Sequence, residues 1–372
     1  MSDDGISTSA YAAQYDALIE RIQSARIADE PPLLVELVAL AEANNDSAAA
    51  ESAVLRQLRV ADHLGDFDGE FSAFARLCAW YHAGRTHLRP KVLWYYKWIA
   101  DKLPHYPALS REQIDAFYAQ MEADFTAAGE GLRPLYSLRM GEAAFAGRAE
   151  DADAWHARWQ SEPATAADDC PACQTQARVD ALLDLARPEE ALEAAAPILA
   201  GEQRCEEVPA VTFSRLLFPL LRAGDVQKAE LAHRIGRHLV RRLPKLVRHL
   251  GDHVLYLTLL GRSDEARRLV ALMLARGDRV TNGYTRYRVA VAAWLFATAR
   301  KTLGDTDLPV PRRLSWSPPT GRVPLDALIA RFKPEAISLA AQFDACNGTD
   351  SFAERIKSAH LMEAFLSKPR DA

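Results

Sequence analysis

Cys170, Cys173 and Cys205, together with the histidines at 233, 238, 249 and 253, are the residues whose types and spacing point most directly to chemistry. A Cys-x2-Cys pair, a third thiolate and an imidazole make a reasonable structural zinc set, because zinc takes four tetrahedral nitrogen or sulfur ligands. His249 and His253 lie four apart and share one helix face. Their spacing is that of His-Glu-x-x-His, but Leu250 stands where the glutamate would be. No general base is then in place, and a hydrolytic zinc site is disfavoured.

Two other readings of the cysteines compete with zinc. Free cysteine is among the most buried residue types, so all three can be packed thiols. Cys170-Pro171-Ala172-Cys173 also opens a helix, where the dipole lowers a thiol pKa and favours redox chemistry. That reading lacks the βαβ context of a redox motif. Asp168, Asp169, Glu206 and Glu207 flank the cysteines and disfavour thiolates. Five cysteines in 372 residues are too few for a disulfide scaffold.

A second constellation is cationic. Arg234, Arg237, Arg241, Arg242, Lys245 and Arg248 lie within residues 231–250, which contain no acid. Such a stripe is either a solvated helix face or a binding surface for an acidic protein or peptide. Net charge is −5, so nucleic acid is not the expected partner. Trp80, Tyr81, Trp94, Tyr95, Tyr96 and Trp98 form an aromatic cluster that reads mainly as core. The chain has no Gly-x-Gly-x-x-Gly, no P-loop, no Gly-x-Ser-x-Gly and no His-Glu-x-x-His, and no catalytic residue is assigned.

The elements that must position these residues repeat. Gly147-Arg148-Ala149-Glu150-Asp151-Ala152, Ala186-Arg187-Pro188-Glu189-Glu190-Ala191, Gly224-Asp225-Val226-Gln227-Lys228-Ala229 and Gly261-Arg262-Ser263-Asp264-Glu265-Ala266 start 39, 38 and 37 residues apart. A small residue suits the left-handed end of one helix. Asp, Ser or Pro suits the start of the next. The alanine suits a close helix crossing. Each hairpin has an apolar face it cannot bury alone, so neighbours stack. The two cysteine loops, one repeat apart, then share a rim. Cys170 and Cys173 are expected before a helix starting near Gln174, and Cys205 before one starting near Pro209.

Elsewhere the pattern is helical, with Ser110-Arg111-Glu112-Gln113 forming a capping box. The expected fold is all-α, a right-handed α-solenoid of tetratricopeptide-like (TPR-like) hairpins over residues 1–304. Residues 305–323 hold Pro309, Pro311, Pro318 and Pro319 and are expected as an extended linker lying along the solenoid, since Trp316 needs an apolar seat. Residues 324–372 are expected as a helical cap. No apolar run approaches a membrane span of about 18 residues. The N-terminus lacks signal-peptide features, so a cytoplasmic setting is expected.

Four segments carry a resemblance: Trp94-Tyr95-Tyr96-Lys97-Trp98-Ile99 with Leu103-Pro104 and Ser110-Arg111-Glu112-Gln113-Ile114; Asp169-Cys170-Pro171-Ala172-Cys173; Cys205-Glu206-Glu207-Val208-Pro209; and Ala232-His233-Arg234 with His253. Their order and spacing resemble a family of bacterial tetratricopeptide-repeat proteins, over roughly residues 60–300. The resemblance implies an all-helical solenoid. It also singles out His233 as the fourth metal ligand, although that residue lies mid-helix and His238 lies nearer the expected rim. The function expected is a non-catalytic scaffold that binds a protein or peptide, with a structural zinc on Cys170, Cys173, Cys205 and His233. The alternative is a metal- or redox-sensing regulator using the same three cysteines.

Overall fold

The computed structural model describes residues 4–368, and the side chains of 10–368. It is all-helical, with 75% helix and 2% strand, so the function must be carried on helix faces and inter-helix loops. Packing divides the chain into two units, Met1–Ile99 and Ala100–Ala372, parting within one helix.

The first unit holds α1 (Asp4–Ser24), α2 (Glu30–Ala43), α3 (Ser47–Leu64), α4 (Phe67–His82) and most of α5 (Arg89–Lys102). Its helices turn at Asn45 and Gly65, both with positive φ, each followed by an aspartate that caps the next helix through its carboxylate. These are the same small-residue turns as in the later repeats, at a spacing the repeat pattern does not cover. Tyr95 and Tyr96 are buried as expected of core aromatics, with Tyr96 edge-on to Phe74 at 5.0 Å, whereas Trp94 is exposed.

The second unit begins with α6 (Arg111–Ala127), α7 (Arg133–Phe145), α8 (Ala149–Ser161) and α9 (Pro171–Asp184). The short segments α10 (Pro188–Ala194), α11 (Ala196–Leu199), α12 (Ala210–Arg215) and α13 (Leu217–Arg222) follow. Then come α14 (Val226–Val240), α15 (Val247–Leu259), α16 (Ser263–Gly277) and α17 (Gly283–Thr302). The Ser110 hydroxyl accepts from the Gln113 amide, and the Ser110 amide donates to the Gln113 side chain, which is the reciprocal cap read from the sequence.

All four repeat turns have the anticipated geometry. Gly147, Ala186, Gly224 and Gly261 sit at φ 79°, 56°, 77° and 78°. Ala152, Ala191, Ala229 and Ala266 are all buried. The small side chain at the crossing lets the paired helices approach, as ridge-and-groove packing requires.

Residues 305–323 do not run as a simple linker. β1 (Asp307–Pro309) pairs antiparallel with β2 (Arg322–Pro324), with Leu308 opposite Val323. Leu308, Val310, Leu314 and Val323 are buried in the same core as α16 and α17. Trp316 has its seat against Phe332, edge-on at 5.7 Å, under the Arg331 guanidinium.

The last helices, α18 (Leu325–Asn347) and α19 (Ser351–Leu366), pack on α17 and on each other. They also return to the start of the unit. The Thr349 hydroxyl donates to the Ala146 carbonyl at 2.7 Å, and Arg355 donates to the Phe145 carbonyl at 3.3 Å. The Phe145 ring packs edge-on against Phe343 and Phe352, both fully buried. Gly147 is needed twice over, for its left-handed φ and because a Cβ there would lie 2.7 Å from the Cβ of Ser351.

Candidate metal centre

The loop carrying Cys170 is tied down by Arg133 at the start of α7. Its guanidinium pairs with Asp168, donates to the Gln174 side chain at 3.1 Å and to the Trp159 carbonyl at 3.2 Å, and lies over the Trp159 ring. Asp168 in turn accepts from the Thr165 amide. The chain then enters α9 three residues earlier than the sequence pattern suggests. Pro171 takes the first helical position, where its fixed φ and missing donor cost nothing. Cys170 becomes the extended N-cap residue, and Cys173 falls in the first turn rather than before the helix.

The Cys205 loop is held by a bond from the Cys205 amide to the Val208 carbonyl at 2.9 Å. Pro209 then caps α12. Between the two loops lies a small apolar cluster of Ala172, Ile198 and Val208, all buried. It joins a residue of the Cys-x2-Cys turn to a residue of the Cys205 turn. Beyond it, α9 and α12 are joined by polar contacts: Thr212 to Gln176, and Arg215 to Asp180 at 2.8 Å and Asp184 at 2.9 Å.

This frame brings the three sulfurs together. The Cys170, Cys173 and Cys205 Sγ atoms all lie within 4.8 Å of one another. A tetrahedral ion with sulfur bonds of about 2.3 Å holds its thiolates about 4 Å apart, so the donor set fits a thiophilic metal with little adjustment. Cys170 and Cys205 are exposed and Cys173 is half-buried.

The electrostatics of the three thiols differ. Burial raises the Cys170 pKa, but the Cys173 amide, thiol contacts with Cys173 and Cys205, and the Ala172 amide outweigh it, and the net shift is downward. These amides belong to the first turn of α9, where backbone donors are unpaired and favour an anion. Cys173 is pushed up, first by burial and then by donating to its two neighbours. Cys170 is therefore more readily ionised than Cys173, and a bound cation would displace the Cys173 proton.

The structure does not bring His233 to this cluster. Among the described residues, no histidine or carboxylate joins the three sulfurs within that distance. His233 lies on the buried face of α14, with Ala229, Ala232, Gly236 and Val240. Its Nδ1 is 3.1 Å from His253 Nδ1, and its ring stacks on Tyr256. The His253 Nε2 is 3.2 Å from the Ser214 hydroxyl, whose proton goes to the Ala210 carbonyl. That chain of bonds fixes the tautomers: His253 donates from Nε2 and accepts at Nδ1, and His233 donates from Nδ1. Burial lowers the pKa of His233 to about 4 and that of His253 to about 3, so both are neutral.

His249 is also in the core. It accepts from Arg248 at Nε2 and meets Asp252 through Nδ1 at 3.2 Å. Asp252 is also paired with Arg288. Burial raises the Asp252 pKa, but Arg288 and His249 more than offset it, so this carboxylate stays charged. His238 is exposed near the end of α14.

The basic stripe divides between α14 and the segment that follows it. Lys245 is mostly buried and pairs with Glu207 at 2.5 Å, and Arg248 is half-buried against His249. Arg234, Arg241 and Arg242 are exposed, and Arg237 is half-buried. The helical period puts Arg234 and Arg241 on the outer face of α14 beside Leu231 and Ile235, which are exposed too. This apolar component was not anticipated from the charge pattern.

No protein-family model, curated protein or solved structure matches the chain. No helix among the described residues is long and apolar enough to cross a membrane.

Proposed function

We propose that this chain is a non-catalytic helical-repeat scaffold of the tetratricopeptide kind, and that it carries a zinc ion on Cys170, Cys173 and Cys205. The observation that carries the reading is the meeting of three sulfurs from two separate loops within 4.8 Å. Thiolates select soft or borderline ions such as zinc. An ion shared by the α9 and α12 loops would lock one hairpin to the next and hold the repeat register. The 37–39 residue turn pattern and its four buried alanines support a stacked-hairpin arrangement.

The partner surface in this reading is the outer face of α14. Leu231 and Ile235 supply apolar contact, and Arg234, Arg241 and Arg242 supply charge, which suits an acidic protein segment with apolar side chains. A cytoplasmic setting accords with free thiols kept reduced.

The test is metal analysis of purified protein. The expected result is about one zinc per chain in wild type and almost none in Cys205→Ser. Wild type that takes up no zinc from buffered solution would refute the metal reading. For the partner, charge reversal of Arg234 and Arg241 to Glu should remove salt-sensitive binding to acidic peptides while leaving the melting temperature unchanged.

A further inference from the structure

We propose that the three-cysteine centre is open, and that its fourth coordination position is filled from outside the chain by a neutral nitrogen donor of the imidazole type. This rests on the zinc reading above, and it replaces a closed structural site with one that binds a ligand.

The donor count is one short of a closed site. A closed structural zinc has four protein ligands, whereas a site with three keeps one position for an external group. Among the described residues, only three ligating atoms gather here. The histidines that could complete the set are otherwise committed. His233 and His253 are bonded to one another inside the α14–α15 packing, and His249 is held by Arg248 and Asp252. The neighbouring acids are also placed elsewhere: Asp168 is bound by Arg133, and Glu207 by Lys245.

Access comes next. Cys170 and Cys205 are both exposed, so the side of the cluster away from the Ala172–Ile198–Val208 packing faces solvent. An ion seated on the three sulfurs would present its remaining position on that side.

Charge selects the donor. Three thiolates on a divalent zinc leave a net charge of about −1. Asp169 and Glu206, adjacent in sequence to Cys170 and Cys205, are exposed, as is Arg204 on the other side of Cys205, so these three leave one further negative charge. A carboxylate would add another anion to this field, and like charges at short range repel. An imidazole completes the tetrahedron without adding charge, and it is a preferred zinc donor. A histidine side chain presented by a bound partner would have this chemistry.

The experiment uses the full chain loaded with cobalt(II), whose ligand-field bands report the fourth ligand while its sulfur charge-transfer band reports the thiolates. Titration with imidazole is expected to shift the ligand-field bands saturably and leave the charge-transfer intensity unchanged. Acetate at equal concentration is expected to produce no shift. His238→Ala should start from the wild-type spectrum, since His238 is exposed and outside the cluster. No response to imidazole, or an altered starting spectrum in His238→Ala, would show that the chain closes its own site and would overturn the proposal. A stronger response to acetate would overturn the choice of a neutral donor. Failure of wild type to bind either cobalt or zinc would instead remove the metal reading on which the proposal rests.

Discussion

The cysteines around α9 and α12 and the histidines of α14 and α15 belong to helices that pack together, and both groups collect residue types that ligate metals. Cys170 and Cys205 stand on loops and Cys173 in the first turn of α9, half or fully exposed, with their sulfurs turned on one another. The histidines stand on the buried faces of two helices, with ring nitrogens bonded to each other, to Ser214 and to Asp252. One group has spare lone pairs at a surface that an ion can reach. The other uses its polar atoms to satisfy a core. Ligand-type side chains can hold an ion only where their donor atoms are not already used by the fold.

The widest separation between the two regions should appear on metal removal. Chelation or Cys205→Ser should lower stability by about 4 kcal/mol relative to protein held at free zinc a thousand-fold above its dissociation constant. His233→Ala should leave zinc content at the wild-type level, although it destabilises the core. Loss of zinc in His233→Ala at a temperature where the protein is still folded would join the two regions and break the comparison.

Acid should act on the histidine region. His105 is half-buried between Phe145 and Tyr284, and desolvation lowers its pKa to about 3, as it does for the buried His253. Because the folded values lie below the ordinary value of 6.5, the unfolded chain takes up protons first. The stabilising contribution is complete above pH 6.5 and is lost as pH falls from there toward 3. Each of these two histidines should cost about 2 kcal/mol between pH 7 and pH 5. Urea midpoints at half-unit steps would measure the slope, and His253→Gln should reduce it by about one proton. An unchanged slope would mean that His253 is not held neutral.

A tighter probe of the same region is Gly236. A Cβ there would meet His253 Cε1 at 3.0 Å, His253 Nε2 at 3.1 Å and the Phe213 Cβ at 3.0 Å. Gly236→Ala should cost about 1–3 kcal/mol by overpacking, with zinc content unchanged. The smallest effect lies at the turn after α9. Ala186 holds a left-handed φ that its three counterparts assign to glycine, so Ala186→Gly should add about 1 kcal/mol. A loss of stability in that variant would show that the repeat turns are not equivalent.

The parts legible in the sequence are those set by local backbone chemistry. The four turns, their buried alanines and the Ser110–Gln113 cap follow from residues within a few positions of each other. The meeting of the cysteine loops followed from the repeat length. The side of a helix that a residue occupies is set by the helical period. Ala229, Ala232, Gly236 and Val240 mark the packed stripe of α14, and His233 falls within it, a signal against ligation that the 3.6-residue period already contained. The same period separates exposed Arg234 and Arg241 on α14, whereas Lys245 and Arg248, past its end, turn inward. The return of α19 to Phe145 was not legible, because contacts across some two hundred residues leave no local pattern.

That return changes how the second unit must form. An open stack of repeats can nucleate anywhere and grow by adding neighbours. Here the Cys346 thiol donates to the Leu109 carbonyl across 237 positions, and Thr349 and Arg355 close similar distances. Phe145 meets His105 and Tyr284 from earlier in the chain, but its contacts with Phe343 and Phe352 wait until those residues have been synthesised. A ribosome-bound chain ending before residue 343 should therefore display a solvent-facing aromatic patch and recruit chaperones, and the unit should be completed late and in one cooperative step, at the slow rate expected of contacts with long sequence separation.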